Sequence, residues 1–135
     1  MRLIGVAVLV CALVAPLCAQ EDNQGGRSAK QATMSGYVVD AMCAKGMMKK
    51  DAPMDKAAAH TRECALNDAC AASGYGLVSD GKYYMFDSDG STKAKDLIDH
   101  SSRTDHLYVE VMGNVKDDML TVASISEKDP PATGQ

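Results

Sequence analysis

The chain has 135 residues, a formal charge of −4 and 46% apolar residues. That length holds one domain with a modest core. The acidic balance argues against nucleic acid and anionic lipid as partners, because both repel a net-negative protein.

Residues 1–19 begin with Arg2, run apolar from Leu3 to Val14 and close on Ala15-Pro16-Leu17-Cys18-Ala19. A positive start, a short apolar core and a small residue at the cut make a secretory signal peptide. The run is shorter than the roughly 20 residues of a bilayer-spanning helix, so no retained membrane anchor is expected. Leu17 before Cys18 and Val10 before Cys11 do not suit lipidation, which needs a small residue ahead of the cysteine. Cleavage after Ala19 removes Arg2 from the 14 basic residues and leaves 13 against 18 acidic ones. The mature protein is therefore expected to be exported, periplasmic or secreted, and monomeric. Cys11 and Cys18 leave with the signal, so three cysteines enter an oxidising compartment. With an odd number, at least one is free, metal-bound or paired with another molecule.

Residues 20–33 are polar, hold a glycine pair and read as a disordered lead-in. Residues 126–135 read as a disordered tail, with Pro130-Pro131 barring regular structure. Residues 34–125 are the folded domain. Its first strand, Met34–Asp40, centres on Tyr37, Val38 and Val39. Asp51 or Asp55 can cap a helix that continues through the alanine-rich DKAAAHTRECAL to a left-handed stop at Gly74. Tyr75–Ser79 and Lys82–Asp87 are strands joined by Asp80-Gly81, which suits a type I′ turn. Asp87-Ser88-Asp89-Gly90 ends that hairpin; it is turn chemistry, since Gly90 comes too early for a calcium loop. Ser91 or Thr92 caps a short helix with Ala94, Leu97 and Ile98 on one face. Leu107–Val111 and Met119–Ile125 alternate as two further strands.

Five short strands, a helical insert between strands 1 and 2 and a short helix between strands 3 and 4 give a mainly β, OB-like barrel. An α+β sandwich is the competing arrangement. The aromatic residues Tyr37, Tyr75, Tyr83, Tyr84, Phe86 and Tyr108 are assigned to packing and a shallow groove.

The insert, residues 40–74, holds Cys43, His60, Cys64 and Cys70 with 16, 3 and 5 residues between successive members. His60 and Cys64, four apart on one helix, leave the same face. Gly46 lets Cys43 fold back over that face, whereas Cys70 lies roughly 120° round an unbroken helix and needs a bend at Asn67-Asp68. Three thiolates and an imidazole can close a tetrahedral zinc shell, and soft donors suit copper(I) as well. A disulfide among the three cysteines, with the third buried as a small apolar residue, fits the same spacing and would contribute about 3 kcal/mol. Met42, Met47, Met48 and Met54 surround Cys43 and are soft ligands or adaptable packing; Lys45, Lys49 and Lys50 among them favour packing. A thiol enzyme with Cys64 as nucleophile and His60 as base lacks a third group. No fingerprint for nucleotide, haem or flavin is present.

GYVVDAMC, the later H-x-x-x-C and C-x-x-x-G, LVSDGKYYMFD and LTVASI resemble a group of small exported bacterial proteins of unknown function. The matching positions are Asp40, Cys43, His60, Cys64, Cys70 and Gly74. The group's last two cysteines stand about one helical turn apart, a spacing from which Cys64 and Cys70 depart. The resemblance implies an OB-like barrel and export, and no activity. The functional expectation is a binding or structural domain whose Cys/His segment is a disulfide or zinc staple. A copper-handling or redox-sensing protein is the alternative, and a small ligand, a metal ion or a protein is the expected partner.

Overall fold

The computed structural model describes residues 31–132. The signal peptide read in residues 1–19 and nearly all of the lead-in lie outside the described residues. Strand β1 (Ala32–Asp40) is followed by four short helices: α1 (Ala41–Met47), α2 (Pro53–Ala58), α3 (Arg62–Leu66) and α4 (Asp68–Ala72). Then come β2 (Tyr75–Ser79), β3 (Lys82–Phe86), α5 (Ser88–His100), β4 (Tyr108–Lys116) and β5 (Met119–Glu127). Helix and strand take nearly equal shares, so the chain is an α+β mixture and not mainly β. The insert makes the difference, because its polar residues cap new helices where a loop was expected to link one.

The five strands form one mixed sheet in the order β1-β2-β3-β5-β4, with β4 returning to β1. β1 makes this closure possible by serving two neighbours. Its first half pairs with β4 and its second half with β2, both antiparallel. At the handover stands Gly36, where a Cβ would run into the carbonyl of Val78. The remaining seam is the short parallel pairing of Met85 and Phe86 on β3 with Met119 and Leu120 on β5. Asp80 (φ 49°) and Gly81 (φ 75°) both take positive φ in the β2–β3 turn, as that dipeptide predicts. No helix among the described residues is long and apolar enough to cross a membrane.

The single helix expected from Asp51 or Asp55 to Gly74 is three helices. Ala52 is left-handed (φ 52°) and Pro53 opens α2, which suits proline's fixed φ and missing N–H. Thr61 then breaks the run: its backbone is extended and its hydroxyl accepts from Cys64 N at 3.1 Å. Asn67 breaks it again at ψ 137°, its side chain accepting from Ala69 N. Such residues offer the backbone a local alternative to the next helical bond. Gly74 ends α4 at φ 82°.

Helix α5 also begins earlier than its sequence suggests. Asp87, read above as part of a turn, is its N-cap and accepts from Gly90 N at 2.9 Å. Gly90 lies in the first turn, where a Cβ would meet Val122 Cγ2 at 2.5 Å, so α5 presses directly on β5. Its Ala94 and Ile98 enter the main core with Val38, Leu77, Phe86, Val109, Val111, Leu120 and Val122. A second apolar cluster lies on the other face of β1 and β2, where Ala44, Ala57 and Ala58 of α1 and α2 cover Tyr37, Val39 and Val78. Both faces of β1 are therefore buried, and its two-residue alternation sends Val38 and then Asp40 to the same side.

Candidate metal centre

Asp40 is the last residue of β1 and the N-cap of α1. Its two oxygens are divided in use. Oδ1 accepts from Cys43 N at 2.8 Å, which fixes the first turn of α1 and sets the Cys43 side chain beside the carboxylate. Oδ2 lies 3.0 Å from His60 Nε2, both side chains almost wholly buried. That distance suits a hydrogen bond, yet neither atom has a hydrogen-bond partner, so the contact fails on direction and not on length. His60 Nδ1 is buried without a partner too. Orphaned buried donors and acceptors are costly, which makes a carboxylate and an imidazole arranged this way an unusual sight without a shared third party.

The sulfurs complete the group. Cys43 Sγ and Cys64 Sγ are 3.7 Å apart, and one ligand atom each from Asp40, Cys43, His60 and Cys64 lies within 4.8 Å of all the others. A disulfide needs about 2.05 Å between sulfurs, and all three described cysteines are free thiols. Two thiolates on one tetrahedral zinc at about 2.3 Å each would be separated by about 3.8 Å. The 3.7 Å sulfur spacing matches that edge. One carboxylate, one imidazole and two thiols form a borderline donor set that fits zinc better than copper(I), for which a carboxylate oxygen is a poor ligand. Four protein donors leave no position for a reacting water, so such a shell is structural.

The electrostatics follow from burial. Desolvation pushes the Cys43 thiol up, with its contact to Cys64 and the charge of Asp40 adding to the rise. His60 moves down from its ordinary value because burial outweighs the nearby Asp40, so the imidazole is neutral and free to donate a lone pair. A metal entering here must displace thiol protons, which a zinc ion does readily at neutral pH.

Of the residues singled out from sequence, the fold brings Cys43, His60 and Cys64 into one group. His60 arrives differently than expected. It stands in the link between α2 and α3 and not one turn from Cys64 on a shared helix. Cys70 is buried on α4 and lies outside the four-atom group. Met47, Met48 and Met54 pack against the cluster under α1 and α2, and Met42 faces solvent at 55% exposure. Among the rings, Tyr37, Tyr75 and Phe86 are buried, and Tyr83, Tyr84 and Tyr108 pack partly buried against the two cores.

Asp40 is the member of the group that the sequence reading did not place among the candidate ligands, although it stood among the positions of resemblance. The available signal was a repeated spacing. Asp40-Ala-Met-Cys43, Thr61-Arg-Glu-Cys64 and Asn67-Asp-Ala-Cys70 each place a helix cap three residues before a cysteine. An N-cap side chain organises the backbone of the first turn, and each cysteine rides on that turn.

No family model, curated protein or solved structure matches the chain. Its functional reading rests on the site alone.

Proposed function

We propose that this is an exported, OB-like barrel whose insert is stapled to the barrel by a zinc ion on Asp40, Cys43, His60 and Cys64. The observation that carries the reading is the buried, misaligned Asp40–His60 pair set against two sulfurs 3.7 Å apart. The strand order, with its single parallel seam between β3 and β5, supports the OB-like assignment. In that role the ion fixes the 34 residues between Asp40 and Tyr75 against the barrel and contributes folding free energy. The protein acts as a binding or structural module and not as a thiol enzyme: neither nitrogen of His60 is hydrogen-bonded to Cys64, so the candidate nucleophile has no base in contact.

The experiment is native and denaturing mass spectrometry of the mature protein from its own compartment, with thiol counting. The expected result is one zinc per chain under native conditions and three free thiols after denaturation. A Cys43–Cys64 bridge without metal would overturn the reading.

A further inference from the structure

The four donors of the metal group are unequally shielded. Asp40 and His60 are buried, whereas Cys43 and Cys64 are only partly so. The members that solvent reaches are therefore the two cysteines. Each is held on the first turn of a short capped helix: Asp40 Oδ1 accepts from Cys43 N at 2.8 Å, and Thr61 Oγ1 accepts from Cys64 N at 3.1 Å. The helices are seated from outside as well. Ala41 N donates to Gly74 O at 2.9 Å and Met42 N to Ser73 Oγ at 3.1 Å, which fixes the start of α1 on the end of α4. Arg62 at the start of α3 donates to the Ile98 and Asp99 carbonyls. The result is a pair of sulfurs in contact at 3.7 Å on two different helices, each cysteine partly open to solvent.

Zinc has no redox chemistry of its own, so an oxidant that reaches such a centre reacts with the ligands. A thiolate oxidised to sulfenic acid condenses with a neighbouring thiol to a disulfide. We propose that Cys43 and Cys64 are an oxidation site, at which a peroxide closes the pair into a disulfide and expels the zinc ion. The proposal rests on the reading of this cluster as a zinc centre. One thiolate attacks the peroxide, breaking its O–O bond and becoming a sulfenic acid. The second sulfur then displaces that hydroxyl as the S–S bond forms. Two electrons pass from the two sulfurs to the peroxide, two protons come from solvent, and two waters and a zinc ion leave. Closure brings the sulfurs from 3.7 Å to about 2.05 Å. The bridge ties α1 to α3 but gives Asp40 and His60 no partner, so the link between α2 and α3 loses the anchor that the ion supplied. Cys70, only 7% exposed and outside the group, stays a thiol.

The test begins with the mature protein, reduced and loaded with zinc without oxygen, to which hydrogen peroxide is added in equimolar steps. A zinc indicator follows release, and peptide mapping by mass spectrometry locates the bridge. One equivalent of peroxide should release the bound zinc and join Cys43 to Cys64, with Cys70 still alkylatable after denaturation. A thiol reductant with added zinc should restore the loaded state. Cys70→Ser should release zinc and form the bridge as the wild type does; if that variant does not fold, the wild-type peptide map decides alone. Zinc retained under peroxide would overturn the proposal, as would a bridge to Cys70 or release through sulfinic acid without a bridge. Failure of the reduced protein to take up zinc at the outset would instead sink the zinc staple, and the switch with it.

Discussion

At the scale of single residues, Asp40 does two jobs that one substitution can separate. Asparagine caps a helix as well as aspartate does, so Asp40→Asn keeps the bond to Cys43 N while removing the anionic ligand. Zinc affinity should fall by about 10–100-fold, measured by competition titration. The chelated variant should be at least as stable as the chelated wild type in urea, because a buried carboxylate beside a neutral imidazole is a burden without its ion. His60 gives the metal-free protein an acid-side weakness. Its folded value lies below the unfolded one, so below about pH 6.5 the unfolded chain takes up a proton that the folded chain refuses. Stability of the chelated protein should hold above that pH and decline beneath it. Urea midpoints across the range should fall less for His60→Gln; an equal fall would assign the loss to other groups. Cys43, His60 and Cys64 were legible as a cluster from sequence, whereas Cys70, read with them, lies outside the group. Asp40's part in it was not, because an aspartate before a helix is ordinarily explained by capping alone.

At the scale of elements, the helices were legible in number of residues but not in how they divide. Alanine-rich composition across 55–66 promotes helix. Thr61 was read as an interior residue and Asn67 as the place where Cys70 would need a bend; the competition of both side chains for backbone N–H groups breaks the helix at each. Asp87 was misread in the same way, since a cap and a turn draw on the same residue types. The division matters because α3, the carrier of Cys64, is held from outside. Tyr75 donates its buried hydroxyl to Ala65 O at 2.7 Å, and Arg62 reaches the Ile98 and Asp99 carbonyls at the end of α5, each at 2.7 Å. Tyr75 is also the cross-strand partner of Asp40, so one strand pair anchors two sides of the centre. Tyr75→Phe should cost about 1–2 kcal/mol in urea unfolding and lower zinc affinity, although its hydroxyl touches no ligand. Unchanged affinity with lowered stability would mean that α3 is placed by packing alone.

At the scale of the whole molecule, the sheet and the insert draw on different sources of order. The sheet and α5 hold the larger apolar core, to which the insert contributes Ala65. To the second cluster the insert gives Ala44, Ala57 and Ala58 as its fully buried members, and alanines bury little area each. Removing metal should therefore loosen the insert first. Hydrogen exchange with and without chelator should show lost protection in α1 to α4 and retained protection in β4 and β5; uniform loss would mean one cooperative unit. Strand alternation and turn dipeptides made the order of strands readable. The return of β4 to β1 was not, because it depends on a handover at Gly36 that only the paired neighbours reveal.

The register of β1 against β2 has one more consequence. Asp40 and Tyr75 face each other across the ladder, so the 34 intervening residues leave and re-enter at a single rung. Their ends are tethered before any ion arrives, and the entropy of ring closure, which grows by only about 0.6 kcal/mol per doubling of length, falls on the hairpin. Residues added or removed along that arc, for example at the exposed Lys49–Asp51 stretch, would disturb neither the rung nor the sheet beneath it.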